Sequence, residues 1–379
     1  MIKCTKEEFL TELEKLVNID SYSYYPEGTR QIADYLKEKY LELGWYVEER
    51  DLGDKVGPAL VITNKPDAAR YDVLMLGHMD TVFAPGTVKE RPFSQKGDFA
   101  YGPGVSDMKN GLLASYYACK SLQENGELGD LSICVCHNPD EEIGSIFSRP
   151  LIEELGKKSN YVLIMESARI NGNFVNERKG IGKYVIEFFG KAAHAAVEPE
   201  KGANAVNQFL ITGAELLTWA APEKGTTLNI GIIQGGTTPN TVPAYVRIEV
   251  DLRLVELDEG ERVDKLIQAI PDHMTVKGVT AKVTGGIARP PMRKNEKSIQ
   301  LAEAVDALCA KMGIKAGWES SGGGSDGNFT AALGAATIDG VGPVGGHAHN
   351  VDECLDTSSI MERLELLYEI IKYCGRADG

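Results

Sequence analysis

The sequence is short of several things, and each shortage removes a class of protein. Nowhere in its 379 residues is there an uninterrupted apolar run of about 18, so no membrane-spanning helix is expected. The opening stretch, MIKCTKEEFLTELEKLVNID, has no apolar segment of the kind that heads secreted chains. Thr5 and Glu8 instead have the spacing of a capping box, and Phe9, Leu10, Leu13, Leu16 and Val17 form one helical face. Cysteines number seven, an odd count scattered through apolar contexts, which points to a reducing compartment and no disulfide framework. Cys134 and Cys136 in LSICVCH read as buried strand residues rather than metal ligands. Basic residues are outnumbered 55 to 40, and the net charge of −15 argues against nucleic acid or an anionic membrane as the main partner. Long blocks of like charge, low-complexity segments and internal repeats are also missing. What remains is the composition of a soluble, cytoplasmic, globular protein, 43% apolar and 25% charged.

The length suits two domains, or one domain carrying a large insertion. Apolar runs at 71–78, 131–137 and 161–167 read as buried strands, separated by helical patterns at 111–125 and 146–158. Such alternation predicts a mostly parallel sheet covered on both faces. After about residue 180 the pattern changes. An alternating strand at 182–194 is followed by a helix at 202–220, strands at 226–236 and 244–255, a helix at 258–270 and a strand near 274–284. That order predicts helices on a small antiparallel sheet. Helix, strand and a terminal helix at 357–374 then resume the first pattern. The expected fold is a discontinuous α/β domain, 1–180 and 286–379, interrupted by an α+β, ferredoxin-like domain at 181–285.

Polar residues recur where the first-domain strands end. LMLGHMDTV places His78 and Asp80 two apart, on one side of an extended segment. The carboxylate can then fix the tautomer of the histidine and raise its basicity as a ligand. AYGPGVSDMKNG presents Asp107 in a glycine-rich turn before a helix. HNPDEEIGS supplies Asp140, Glu141 and Glu142, MES supplies Glu166, and GGHAHNVDE supplies His347 and His349. Each feature alone is ordinary, since a strand-end histidine or an acidic pair is usually only solvated. Together they meet where open α/β sheets bind ligands, at the carboxyl ends of the strands. Two histidines and three carboxylates suit borderline divalent cations, zinc first. Charge favours a pair of ions. Asp107, Glu142 and Glu166 bring −3, which two Zn²⁺ and a bridging hydroxide neutralise, whereas one Zn²⁺ would leave about −2 in a partly buried cleft.

Motifs spanning nearly the whole chain carry a resemblance: GHMDTV, YGPGVSDMKNG, DEEIGS, MES, GKAAHA, TPNTVPAYVRIEVDLR, SGGGSDGN and HNVDE. In this order they resemble the M20 family of co-catalytic zinc peptidases and amidohydrolases, and HMDTV, GPGVSD and GGGSD favour its carboxypeptidase G2-like branch. The resemblance implies a zinc-peptidase-like catalytic domain with an inserted dimerisation or lid domain, two Zn²⁺ per chain (Co²⁺ or Mn²⁺ as substitutes), and a homodimer through the insertion. It makes Asp107 the bridging ligand, His78 and Glu166 the other ligands of one metal, and Glu142 and His349 those of the second. His349 is chosen over His347 because Glu353 follows it by four residues, as in the family's late motif. Asp80 would orient His78, and Glu141 would be the general base acting on a metal-bridging hydroxide. His194 would polarise the substrate carbonyl, while Asn240, Arg253 and Arg289 would bind a substrate carboxylate; Arg253 could equally serve a structural ion pair. SGGGSDGN reads as a tight turn into a helix whose N–H groups could line the pocket.

The implied activity is hydrolysis of an amide or peptide bond in a small substrate with a free carboxylate, a peptide or an N-acyl amino acid. Two rivals share the fold: a tripeptide aminopeptidase of the peptidase T type, and a non-catalytic binding protein.

Overall fold

The computed structural model describes residues 1–376. They form two compact units, one comprising Met1–Glu177, Met292–Ser321 and the chain from Ser325 onward, the other Arg178–Pro291 with Gly322–Gly324.

The first unit is built on an eight-stranded sheet. Its order is Tyr46–Arg50, Ala59–Thr63, Ile133–Asn138, Tyr71–His78, Ser159–Ile164, Ala336–Asp339, Phe174–Arg178 and Trp318–Ser321. The four middle strands, Ile133–Asn138 to Ala336–Asp339, run parallel. Antiparallel pairings flank them, so the sheet is mixed where the strand–helix alternation predicted mostly parallel. The two short strands before Tyr71 join without a crossover helix, which is what an antiparallel neighbour permits.

Alternate side chains of the middle strands enter two different cores. Val73, Met75, Val135 and Leu163 pack with the helices Lys6–Val17, Pro26–Glu42, Lys109–Glu124 and Ile360–Cys374. Leu74, Leu76, Cys134, Cys136 and Val162 pack on the other face with Leu151, Ile152, Leu155 and Phe329. Burial on both faces explains why these strands read as continuous apolar runs. It also accounts for Cys134 and Cys136, which are buried strand residues; all seven cysteines are free thiols. The Thr5 capping box forms, with Glu8 N–H donating to Thr5 Oγ1 at 3.1 Å and Thr5 N–H to Glu8 Oε2 at 2.7 Å. Among the described residues no helix is long and apolar enough to cross a membrane.

A smaller five-stranded sheet contains Ser94–Lys96, Phe99–Tyr101, Cys354–Asp356, Gly342–Gly346 and Ser167–Ala168. Its antiparallel pair of Cys354 with Tyr101 brings the 347–353 loop beside the Gly102–Asp107 turn.

The second unit is a four-stranded antiparallel sheet in the order Thr227–Gly235, Tyr245–Leu254, Gly180–Phe189 and Thr280–Arg289. Strict alternation sends Tyr184, Ile186, Phe188, Val246, Ile248 and Val250 into one core with the helices Ala205–Thr218 and Leu257–Gln268. The last strand begins later than the expected 274–284. A 3₁₀ turn at Ile270–His273 extends the preceding helix, and Val279 N–H then bonds back to Val276 O around Gly278, whose φ of +80° breaks extended backbone.

Candidate metal centre

Parallel strands end on the same side, and here their ends bring together side chains far apart in sequence. His78 is the last residue of its strand, Glu142 follows the strand ending at Asn138, and Glu166 lies two beyond Ile164. Asp107 comes from the turn before the helix Lys109–Glu124, and the Asp107–Met108 peptide is cis. Gly111 in that helix allows the close approach: a Cβ there would stand 1.9 Å from the carbonyl oxygen of Met165. Only glycine lets the helix start lie against the strand end that carries Glu166.

Two groups of potential ligand atoms result, His78–Asp107–Glu166 and Asp107–Glu142–His349, each with its atoms within 4.8 Å of one another. They share Asp107, whose two oxygens divide between them. Oδ1 lies 3.1 Å from His78 Nε2, and Oδ2 lies 3.1 Å from His349 Nε2. Glu166 Oε1 is 3.4 Å from His78 Nε2, and Glu142 Oε2 is 3.0 Å from His349 Nε2. His349 therefore enters the cluster, from a loop in which both it and His347 adopt positive φ.

Asp80 organises one side of this set. It is fully buried and faces the other nitrogen of His78, with Nδ1 at 3.3 Å from Oδ1 and 3.0 Å from the Asp80 carbonyl. An Nδ1 so placed leaves Nε2 to present its lone pair to the cluster. The Asp80 carboxylate also accepts the backbone N–H groups of Glu141 and Glu142, both at 3.1 Å, and the Ser23 hydroxyl at 2.6 Å. One aspartate thus orients a histidine and pins the turn that carries the two glutamates. Glu141 begins the 3₁₀ turn Glu141–Ile143 and is half-buried. Asp140 is buried and closes the same turn, its Oδ2 accepting Phe147 N–H at 2.7 Å and Ser148 N–H at 3.3 Å.

The crowded charges shift one another. Burial and then the negative Asp107 push Glu142 up to about 7. Burial, again followed by Asp107, raises Glu166. Asp107 itself is held well below the usual carboxylate range: burial opposes this, but His349 and His78 outweigh it. Asp107 and Glu142 raise His349 to about 11. Burial alone would lower His78, yet Asp107, Asp80 and Glu166 together raise it well above its ordinary value.

The remaining expected residues lie in the second unit. His194 is exposed, and its Nδ1 accepts N–H groups of Ala196 and Val197 at 3.2 Å. Asn240 is its neighbour, with Ala195 N–H donating to the Asn240 carbonyl at 2.9 Å. Arg253 and Arg289 both pair with Ile181, one from either side of the central strand. Arg253 makes a two-pronged ion pair with Asp251, at 2.8 and 3.0 Å, and donates to Gly322 O at 3.1 Å. Arg289 is buried. In SGGGSDGN, Asp326 accepts from Asn138 Nδ2 at 2.6 Å and from Ser145, so this segment buttresses the strand end before Glu142.

Sequence reasoning gave no role to Ser23, or to Glu353 beyond marking the late histidine. Glu353 is buried and accepts three backbone N–H groups of the Asp107 turn. Ser23 carries no local signal. Glu353 had one, an acidic residue at fixed distance from a candidate ligand.

Residues 74–373 match the family described as Peptidase family M20/M25/M40. The chain is 30% identical to carboxypeptidase G2 of Pseudomonas sp. (strain RS-16) over 371 residues, covering 96% of this chain and 88% of that protein. Among solved structures it resembles a tripeptidase from Staphylococcus aureus subsp. aureus Mu50, with a TM-score of 0.80 at 25% identity, covering 99% and 100% of the two chains. It also resembles aminopeptidase PepT from Bacillus cereus ATCC 10987, with a TM-score of 0.77 at 26% identity, covering 98% and 99%.

Proposed function

From the premise that the chain belongs to peptidase family M20/M25/M40 and is a hydrolytic enzyme, we propose that it is a two-metal hydrolase of amide bonds in small substrates bearing a free carboxylate. One observation carries this reading: the two oxygens of Asp107 face two different histidines, each with a second carboxylate beside it. A single-ion site would need only one such group. The donors fit zinc, being imidazole and carboxylate, and the three carboxylates with one hydroxide would balance two dications. His78 and Glu166 would hold one ion, Glu142 and His349 the other, and Asp107 both. Bound there, the ions would act as Lewis acids, polarising the carbonyl and lowering the pKa of a water from 15.7 toward about 7.

The protein's own groups supply the rest. Glu141 takes a proton from the attacking water as its oxygen bonds to the carbonyl carbon. It then delivers that proton to the amide nitrogen as the C–N bond breaks, and the second water proton passes from the new carboxyl group to the amine, giving a carboxylate and an ammonium. Asp80 keeps His78 in the ligating tautomer and fixes the backbone of Glu141, so that adjacent glutamates can have separate tasks. The reading assigns His194 to polarising the substrate carbonyl and Asn240, Arg253 and Arg289 to the substrate carboxylate, for which a guanidinium offers two parallel donors. Residues 1–180 and 286–379 then form the catalytic domain and 181–285 a lid and dimerisation domain in a cytoplasmic homodimer. Support for self-association comes from exposed Leu210, Ile211 and Leu217 on one helix and Ile232 and Ile233 on the edge strand Thr227–Gly235.

The likeness to the structures of an aminopeptidase PepT and a tripeptidase favours a second reading, a tripeptide aminopeptidase that anchors the substrate's amine. A panel of N-acyl amino acids, dipeptides and free-amine tripeptides, assayed with Zn²⁺, Co²⁺ and Mn²⁺, separates the two. Turnover of blocked substrates supports the first; turnover of free-amine tripeptides alone would replace it with the second.

A further inference from the structure

Both oxygens of Glu353 are engaged by backbone donors. Oε1 accepts the N–H groups of Ser106 at 2.8 Å and Asp107 at 2.9 Å, and Oε2 accepts that of Gly104 at 3.0 Å. The residue is fully buried. Three N–H groups converge on this one carboxyl group, and when it is ionised such bonds are charge-assisted, about twice as strong as neutral ones. An acceptor-only group suits this place, since every neighbour offers a donor. The turn needs such a partner. Gly104 holds φ at +77°, and a Cβ there would stand 2.7 Å from the Thr81 side chain, so Gly102–Asp107 is an irregular loop threaded close to the Asp80 segment.

Glu353 also belongs to the loop that delivers His349. Asn350 N–H bonds to His347 O at 3.1 Å and Glu353 N–H to Asn350 O at 3.2 Å, so two successive turns connect the histidine to the glutamate. The neighbouring Cys354–Tyr101 pair locks this segment onto the small sheet. Glu353 is therefore the covalent end of the His349 loop and the hydrogen-bonding anchor of the Asp107 turn.

We infer that Glu353 is a positioning residue that acts through Asp107, holding the shared carboxylate so that one oxygen faces each metal position. This rests on the two-metal reading above. An ordinary structural tie would stabilise the fold without regard to metal. A tie on the shared ligand must affect both metal positions together, whereas a defect in Glu142 reaches only one.

The test uses full-length Glu353→Gln and Glu353→Ala beside the wild type and Glu142→Ala. Chelator competition gives the affinity of each metal equivalent, and the Co²⁺-loaded absorption spectrum reports ligand geometry. In Glu353→Ala both equivalents should weaken, each by roughly 10–100-fold, the usual effect of removing a group that orients a ligand. Glu353→Gln should fall between, because its oxygen can still accept from Ser106 and Asp107 while its NH₂ opposes the N–H of Gly104. Its Co²⁺ spectrum should differ from wild type, and Glu142→Ala should weaken one equivalent far more than the other. Circular dichroism of the metal-free proteins establishes folding, and if the alanine variant does not fold, the near-isosteric glutamine variant decides on the same terms. Folded variants that bind both equivalents with wild-type affinity and an unchanged spectrum overturn the inference alone. A wild type that takes up no metal overturns the two-metal reading, and this inference with it.

Discussion

His349 Nε2 stands 3.0 Å from Oε2 of Glu142, a contact in which a candidate ligand pair shares a proton that a metal must displace. With Asp107 also at 3.1 Å, His349 is raised to about 11, and His78 is raised well above its ordinary value. At pH 8 a ring raised to about 11, as His349 is, holds its proton in the metal-free protein, and it must be neutral to ligate. Loading should therefore release a proton from His349, and affinity should rise with pH. Isothermal titration in buffers of different ionisation enthalpy measures the release. A value near zero would remove His349 from the ligand set.

The same crowding makes the metal-free protein unusual in its response to pH. Glu142 and Glu353 are pushed up to about 7 from 4.5, and Asp140 to about 6 from 3.8, each first by burial. Between its unfolded and folded pKa each group binds more protons when folded, so stability falls as pH rises. The contribution is complete below about 4 and lost by about 7. His349 adds the same sign higher up, full below 6.5 and lost toward about 11. In chelator, the melting temperature should fall from pH 5 to 7, where the three carboxyls outweigh buried His137, lowered to about 3. Above 7 buried Lys109, lowered to about 7, opposes His349 and flattens the curve, and excess metal should raise it at the alkaline end. A melting temperature that climbs from pH 5 to 7 in chelator contradicts the arrangement.

Adjacent residues with different tasks should fail differently. Glu141→Ala should leave about two metals per chain but lower kcat by roughly 10²–10⁴-fold, the range of a lost general base. Glu142→Ala should lower the metal content itself. Elemental analysis of each purified variant, alongside its rate, tells the two apart. Full activity in Glu141→Ala would remove the base assignment.

Much of this centre is legible in the sequence because strand ends are. His78, Glu142 and Glu166 follow apolar runs whose period and length are local properties, parallel strands align their ends automatically, and Asp107 sits in a glycine-rich turn just before a helix. His349 required more, since its loop lies on no regular element, and only the resemblance to the family's late motif, in which a Glu follows by four residues, selects it over His347. The work of Glu353 itself was not readable: its partners lie about 250 positions earlier and are backbone N–H groups, which every residue but proline possesses. Ser23 reaches Asp80 across 57 positions with no periodic signal. The strand expected at 274–284 began late because Gly278 and a 3₁₀ turn, rather than apolar alternation, set its start. Long-range polar ties and local backbone turns are what pattern reading omits.

Asp80 concentrates such ties, and its replacement gives the sharpest structural prediction. Its buried carboxylate accepts from Ser23 Oγ and from two backbone N–H groups, and faces His78 Nδ1. Asp80→Ala strands both N–H groups, at about 1–3 kcal/mol each. Asp80→Asn keeps the volume but offers one acceptor oxygen and one NH₂, so one of its neighbours must face a donor. Urea denaturation of the metal-free proteins should rank wild type above Asn and Asn above Ala. Ser23→Ala, which removes a single charge-assisted bond, should lose about 1.5–3 kcal/mol. Metal affinity should fall roughly 10–100-fold in Asp80→Asn, since His78 loses its orienting partner. An Asn variant that keeps wild-type affinity while losing stability would mean that Asp80 serves the Glu141–Glu142 turn and not the histidine.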